Sequence, residues 1–376
     1  MSEELKQEIS EFIQESEVSP YVGEGVELYE QAFDRLAVKL SQWQYWHSIP
    51  YRRIVDLSGS DVESWMTWKD VVPMPVSLFK KSHVKCFEME YAEKPRVWFS
   101  SGTTSNDKSR TYIQDTELYD LVIRKEWEYF VGAAEEYRYL SLIPEGEEWP
   151  NSSLAHMFSV VTDGVNYYRG VKNVRTGKFE LDWSEIVSCL NASVNEDVPV
   201  VVYGTSYAFA WLFEEFRKDE LQWSLPVGSI MVDTGGFKGL ATPLTREQMI
   251  KRAWVHFGIS SPYCINEYGM SEMSSQFWTP SLVHEGDKFV NQCSEKWERP
   301  SWVRVKTVDP VTLQDDPDGV LVIYDLANMW SNACLMTQDQ ATISKDGTHI
   351  SDMRRAPGAV AKGCSITAER ALNSGA

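Results

Sequence analysis

Apolar residues recur along the first part of the chain with helical spacing. Leu5, Ile9, Phe12 and Ile13 stand among acids over residues 2–17, which predicts an amphipathic helix. The stretch VELYEQAFDRLAVKLSQWQYW continues in the same style, with Trp and Tyr residues suited to packing on the main body. From Val97 onward the pattern changes to short apolar runs that end in glycine or hydroxyl residues. RVWF ends in SSGTTS, VPVVVYGTS leads into the helical stretch YAFAWLFEEFRK, VGSIMVD ends in TGGFKG, and the shorter SPYCINEYGMSE is a fourth run. These runs are rich in β-branched and aromatic residues and predict strands. Strands alternating with helices predict an α/β fold of mostly parallel sheets with flanking helices. Ligands of such sheets gather beyond the carboxyl ends of the strands, so the four glycine-containing turns are expected on one edge, lining one cleft.

After residue 300 the texture changes. WVRVKTVDPVTLQDDPDGVLVIYDL reads as strands joined by turns, and ATISKDGTHI carries Asp346-Gly347, a strong hairpin signal. A smaller β-rich subdomain over about residues 300–350 is expected. The predicted organisation is a large domain, 1–350, followed by a short tail, 351–376, rich in Gly, Ala and Pro and ending in a short helical stretch.

Composition narrows the function classes. With 43% hydrophobic and 24% charged residues, the 376-residue chain reads as a soluble globular protein. A net charge of -19 argues against nucleic acid as a partner, because phosphate binding needs clustered Lys and Arg. No run reaches the roughly 18 apolar residues of a membrane helix, and the acidic start MSEELKQEIS lacks a signal-peptide core. A cytoplasmic protein is expected. None of the 6 Cys forms a C-x-x-C pair or stands at zinc-ligand spacing from a His, so reduced thiols packed in the interior are expected. The six His form no triad or metal set.

The candidate chemistry lies in the turns. In SSGTTSNDK a glycine allows close backbone approach, Ser and Thr supply hydroxyls and turn N–H groups, and Lys108 adds a cation. By composition alone a polar surface turn and a phosphate cradle are both open. DTGGFKG places two glycines at a strand end, where a flat ring could lie against the backbone. NEYGMSE offers the ring of Tyr268 and the carboxylate of Glu272, and TQDQ offers the carboxylate of Asp339. Each has a plain alternative: a core aromatic, a solvated acid at a helix start, and a turn former.

Taken in order, SSGTTSNDK, YGMSE and TQDQA resemble the S-S-G-T-T-G-x-P-K, Y-G-x-T-E and T-G-D-L motifs of the adenylate-forming enzymes. A resemblance over most of the chain, carried by PVSLFKK, GGFKG, RPSWVRVKTVDPVTLQDDPDG and AKGCSITAERAL, is to the acyl-protein synthetases of bacterial luminescence (LuxE type). Departures from the motifs are Ser105 for glycine, Asp107 for proline and Gln338 for glycine. The large C-terminal domain of acyl-CoA synthetases is expected to be missing.

The resemblance implies ATP and Mg²⁺ as cofactors and a carboxylic acid, a fatty acid above all, as substrate. It implies that Ser100, Ser101, Gly102, Thr103, Thr104 and Lys108 cradle the phosphates. Gly235, Gly236 and Tyr268, with Gly269, would meet the adenine, and Glu272 would help bind Mg²⁺. Asp339 would take the ribose, with Arg354 or Arg355 near the ribose and α-phosphate. Lys362 is the candidate replacement for the missing late lysine. Cys364 would accept the acyl group as a thioester for an acyl-accepting reductase or carrier protein, in a complex or oligomer. On chemistry alone Cys364 is equally a buried hydrophobe, though Arg354, Arg355 and Lys362 would favour its thiolate. Two other readings stay open: a ligase that charges CoA or a carrier protein with Cys364 structural, and a non-catalytic nucleotide-binding subunit.

Overall fold

The computed structural model describes residues 2–20, 25–93, 95–100, 108–175, 178–235, 244–280 and 296–356. Five parallel strands lie at its centre, in the spatial order Tyr167–Arg169, Arg138–Ser141, Val200–Thr205, Ile230–Thr234 and Cys264–Tyr268. Antiparallel strands Phe277–Trp278, Lys296–Glu298, His349–Arg355 and Asp339–Ile343 extend the same sheet beyond the last of these.

Side-chain alternation explains why the central runs read as continuously apolar. Val200 and Val202 pack into a layer with helices Trp183–Glu196, Ser206–Lys218 and Arg246–Phe257. Val201 and Tyr203 pack into the opposite layer with helices Glu117–Phe130 and Ser153–Val161. Both faces are covered, so neither needs polar residues. The first crossover runs from Arg138–Ser141 to one side and the next strand returns on the other. This reversal opens a crevice at the carboxyl ends of the strands.

A second sheet, in the order Met74–Pro75, Cys334–Met336, Val320–Asp325 and Val303–Val308, joins the same apolar core. The N-terminal helix pair lies against it. Ser41 Oγ lies 2.8 Å from the hydroxyl of Tyr324, and Gln44 bonds the backbone at Asn328, Met329 and Ala333. The amphipathic reading of residues 2–17 corresponds to helix Ser2–Glu15, which buries Leu5, Ile9 and Ile13.

Two expectations change. RVWF is a strand, Arg96–Phe99, but it pairs antiparallel with Arg110–Ile113 alone and lies outside the parallel sheet. Its apolar residues serve a small hairpin: Trp98 packs against Tyr119 and His156. The parallel sheet instead takes Arg138–Ser141 and Tyr167–Arg169, which lack the long apolar run that marked the others. The hairpin signal at Asp346-Gly347 marks a real turn, with Gly347 at φ +70°, but its strands form the edge of the large sheet.

Candidate active site

A cleft of about 460 Å³ opens at the carboxyl ends of Val200–Thr205, Ile230–Thr234 and Cys264–Tyr268. Ser100, Gly235, Tyr268, Gly269, Glu272, Asp339, Arg354 and Arg355 all line it. Lys108 is half-buried and is not among the lining residues. Ser101, Gly102, Thr103, Thr104, Gly236, Lys362 and Cys364 lie outside the described residues.

Asp339 opens the edge strand and is nearly buried. Its Oδ2 accepts the hydroxyl of Tyr268 at 3.2 Å, and its Oδ1 pairs with Arg355 Nη1 at 3.0 Å. Antiparallel register sets Asp339 opposite Arg355 and Gln340 opposite Arg354, so Arg354 bonds Gln340 instead, at 3.3 Å. A carboxylate offers about four lone-pair sites, so Asp339 keeps acceptor capacity for a hydroxyl pair. Tyr268 is half-buried and meets Phe277 edge-on at 5.9 Å. Burial and the charge of Asp339 push its phenol well above 10, so it stays a donor. Asp339 is therefore a bonded strand residue, and the turn-former alternative falls.

Glu272 is not a solvated helix-start acid. It sits buried in a turn, accepts the hydroxyl of Ser271 at 3.0 Å, and its backbone carbonyl is held by Asn328 at 2.8 Å. Ser100 closes the base of its loop. Its backbone N–H donates to Ser109 O, and its hydroxyl accepts Ser109 N–H at 2.9 Å.

The cleft is also lined by a network that motif reading missed. Asp233 Oδ2 accepts Ser206 Oγ at 2.8 Å and Asn266 Nδ2 at 2.9 Å, while Oδ1 pairs with Arg246 Nη1. Asn266 Oδ1 accepts the indole N–H of Trp297 at 2.9 Å. Glu267 accepts the hydroxyl of Thr234; burial, aided by Asp233, raises its carboxyl to about 7. A methyl group on Gly269 would crowd Glu267 Oε1, the end of a side chain that bonds Thr234.

No known family model matches this chain, and no curated protein matches it in sequence. Solved structures do match in fold. A 2-hydroxyisobutyryl-CoA ligase, in an open conformation with 2-HIB-AMP and CoA, aligns with a TM-score of 0.59 at 13% identity, over 89% of this chain and 74% of its own. The same ligase in the postadenylation state, with 2-HIB-AMP, gives a TM-score of 0.59 at 13% identity, over 89% and 67%. The chain has the fold of the adenylate-forming enzymes.

Within that adenylate-forming fold, the residues missed have weak local signals. Asp233 directly precedes TGG, and Asn266 and Glu267 directly precede YG, so adjacency to a quoted motif could have found them. Nothing local marks Arg246 or Trp297, whose roles come from strand neighbours. The described cysteines fit the packing expectation: Cys86, Cys189, Cys264 and Cys334 are buried. Burial raises the thiols of Cys189 and Cys334 to about 12, and raises Cys86 as well. No group of three or more His, Cys, Asp or Glu that could hold a metal occurs among the described residues. A Mg²⁺ here would rest on one carboxylate plus phosphate oxygens and water, which suits its habit of keeping several non-protein ligands.

Proposed function

We propose that this chain uses ATP to activate a carboxylic acid, a fatty acid above all, as an acyl-adenylate, and then carries the acyl group as a thioester on Cys364 for a reductase partner. The supporting observation is convergence: Ser100, Tyr268, Glu272, Asp339 and Arg355, drawn from motifs spread along the chain, line one cleft of an adenylate-forming fold.

In this reading Asp339 accepts the ribose hydroxyls while Tyr268 and Arg355 hold its carboxylate in place. Arg355, or Arg354 beside it, lies toward the α-phosphate. Glu272 and the phosphates would hold Mg²⁺, which when bound neutralises phosphate charge. The acid's carboxylate attacks the α-phosphorus, and the bond to pyrophosphate breaks. The thiolate of Cys364 then attacks the acyl carbon and AMP leaves. The chain's share of the work is positioning and charge stabilisation. Transfer to CoA, with Cys364 structural, is the second reading, favoured by the fold likeness to a CoA ligase.

The test follows both half-reactions over a panel of acids. Cys364→Ser should keep acid-dependent pyrophosphate exchange and lose hydroxylamine-labile acyl label, with Cys364 found as the labelled residue by peptide mass spectrometry. Retained label in Cys364→Ser would remove the thioester assignment. CoA acylation by that variant would establish the second reading.

A further inference from the structure

The helix Glu117–Phe130 carries a carboxyl group into the interior that the steps above do not use. Glu126 is fully buried. Its Oε2 accepts the backbone N–H of Gln276 at 3.0 Å and the indole N–H of Trp278 at 3.0 Å. The same helix packs its rings on that indole: Phe130 stacks on it at 5.8 Å and Trp127 meets it edge-on at 6.0 Å. Glu126 Oε1 and the side-chain oxygen of Gln276, a residue lining the cleft, are buried without hydrogen-bond partners among the described residues. Burying a carboxyl group is costly, and this one supplies the acceptor for two buried donors, one on the backbone and one on an indole, at the wall of the cleft.

The connectivity gives this carboxyl a purpose. Gln276 and Trp278 lie within a few residues of the YGMSE turn that holds Glu272. The helix follows directly on the Arg96–Phe99 and Arg110–Ile113 hairpin that brackets the SSGTTS loop. Glu126 thus ties together two motif-bearing parts of the chain 150 residues apart. We propose that Glu126 is a positioning residue, which sets the placement of the paired strands Arg96–Phe99 and Arg110–Ile113 relative to the Tyr268–Gln276 wall of the cleft. Burial pushes its carboxyl well above the usual glutamate range, with Asp325 and Glu267 adding to the effect.

The role rests on the ATP-dependent reading above, and the test separates the two. Glu126→Leu, Glu126→Gln and Trp278→Phe are compared with the wild type by pyrophosphate exchange, thermal melting and hydrogen exchange. Misalignment of about 1 Å costs up to about 100-fold in rate, so Glu126→Leu should lose about 10- to 100-fold in kcat with the KM for ATP within about 3-fold. Glu126→Gln, which keeps an acceptor oxygen, should retain wild-type kcat within about 3-fold. Trp278→Phe, which removes one donor and keeps a ring, should fall between. A folded Glu126→Leu with wild-type kcat overturns the proposal, as does a lower melting temperature with unchanged kinetics. If the wild type exchanges pyrophosphate with no acid, the functional reading fails, and hydrogen exchange decides on Glu126. Faster exchange confined to peptides covering residues 110–130 and 268–278 supports the joint; unchanged exchange there in Glu126→Leu overturns it. Should Glu126→Leu not fold, Trp278→Phe carries the same kinetic and exchange criteria.

Discussion

Glu267 illustrates how strand register creates chemistry from an ordinary side chain. Pairing sets it beside Thr234, whose hydroxyl it accepts, and next to the Asp233 site. Burial, with Asp233 adding to it, raises its carboxyl from 4.5 to about 7. Between those values the folded protein holds a proton that the unfolded chain has released. Stability from this group is therefore full below about pH 4.5 and is lost as pH rises toward 7. Glu267→Gln, a permanent mimic of the neutral form, should gain on the wild type across that window, by up to ~3 kcal/mol. Urea denaturation of both proteins at pH 5 and pH 8 checks this; a stability difference independent of pH would rule it out. Tyr268, Glu272 and Asp339 stand out in the sequence because a motif names side-chain types, and the fold brings them to one cleft. The Asp233–Arg246–Asn266 network was not, because it exists only once two strands and a helix start are in register.

Elements were most legible where a run had a single role. YAFAWLFEEFRK lies within helix Ser206–Lys218 because its apolar positions repeat with helical spacing, and VPVVVYGTS holds a strand because β-branched residues fill both of its faces. RYLS gave too short a signal for a central strand, since neighbours on both sides supply its burial. The junction at Thr205 links element and site. It ends the strand, and its Oγ1 accepts the N–H of Ala208 at 3.1 Å, capping the helix whose first residue, Ser206, bonds Asp233 in the lining of the cleft. Thr205→Ala should cost about 1 kcal/mol, the usual loss for an N-cap, while Thr205→Ser should cost much less. Chemical denaturation of the pair tests the cap, and equal losses in both variants would assign the effect to the lost methyl group.

At the scale of the molecule, the chain's beginning and its late strands complete one another. Helix Val26–His47 lies against the second sheet, and Arg304, salt-bridged to Glu30, sits 4.0 Å over the ring of Phe33. Such contacts leave no mark in local sequence, because each side reads only as amphipathic or alternating. Gln44 carries much of the joint. Its Nε2 donates to the carbonyls of Asn328 and Met329 at 3.0 and 2.8 Å, and its Oε1 accepts the N–H of Ala333 at 2.9 Å, all buried. Gln44→Leu would leave two carbonyls and one N–H without partners. Unmade buried bonds cost about 1–3 kcal/mol each, so a loss of at least about 3 kcal/mol is expected from the three. Because the N-terminal helices, the second sheet and one face of the parallel sheet share a single apolar core, the loss should be felt everywhere at once. Urea unfolding followed by circular dichroism, and hydrogen exchange in strand Val200–Thr205, should shift together to lower denaturant in Gln44→Leu. Two separated transitions, with the parallel sheet holding at the wild-type midpoint, would show that the joint at Gln44 and the sheet that carries the cleft unfold independently.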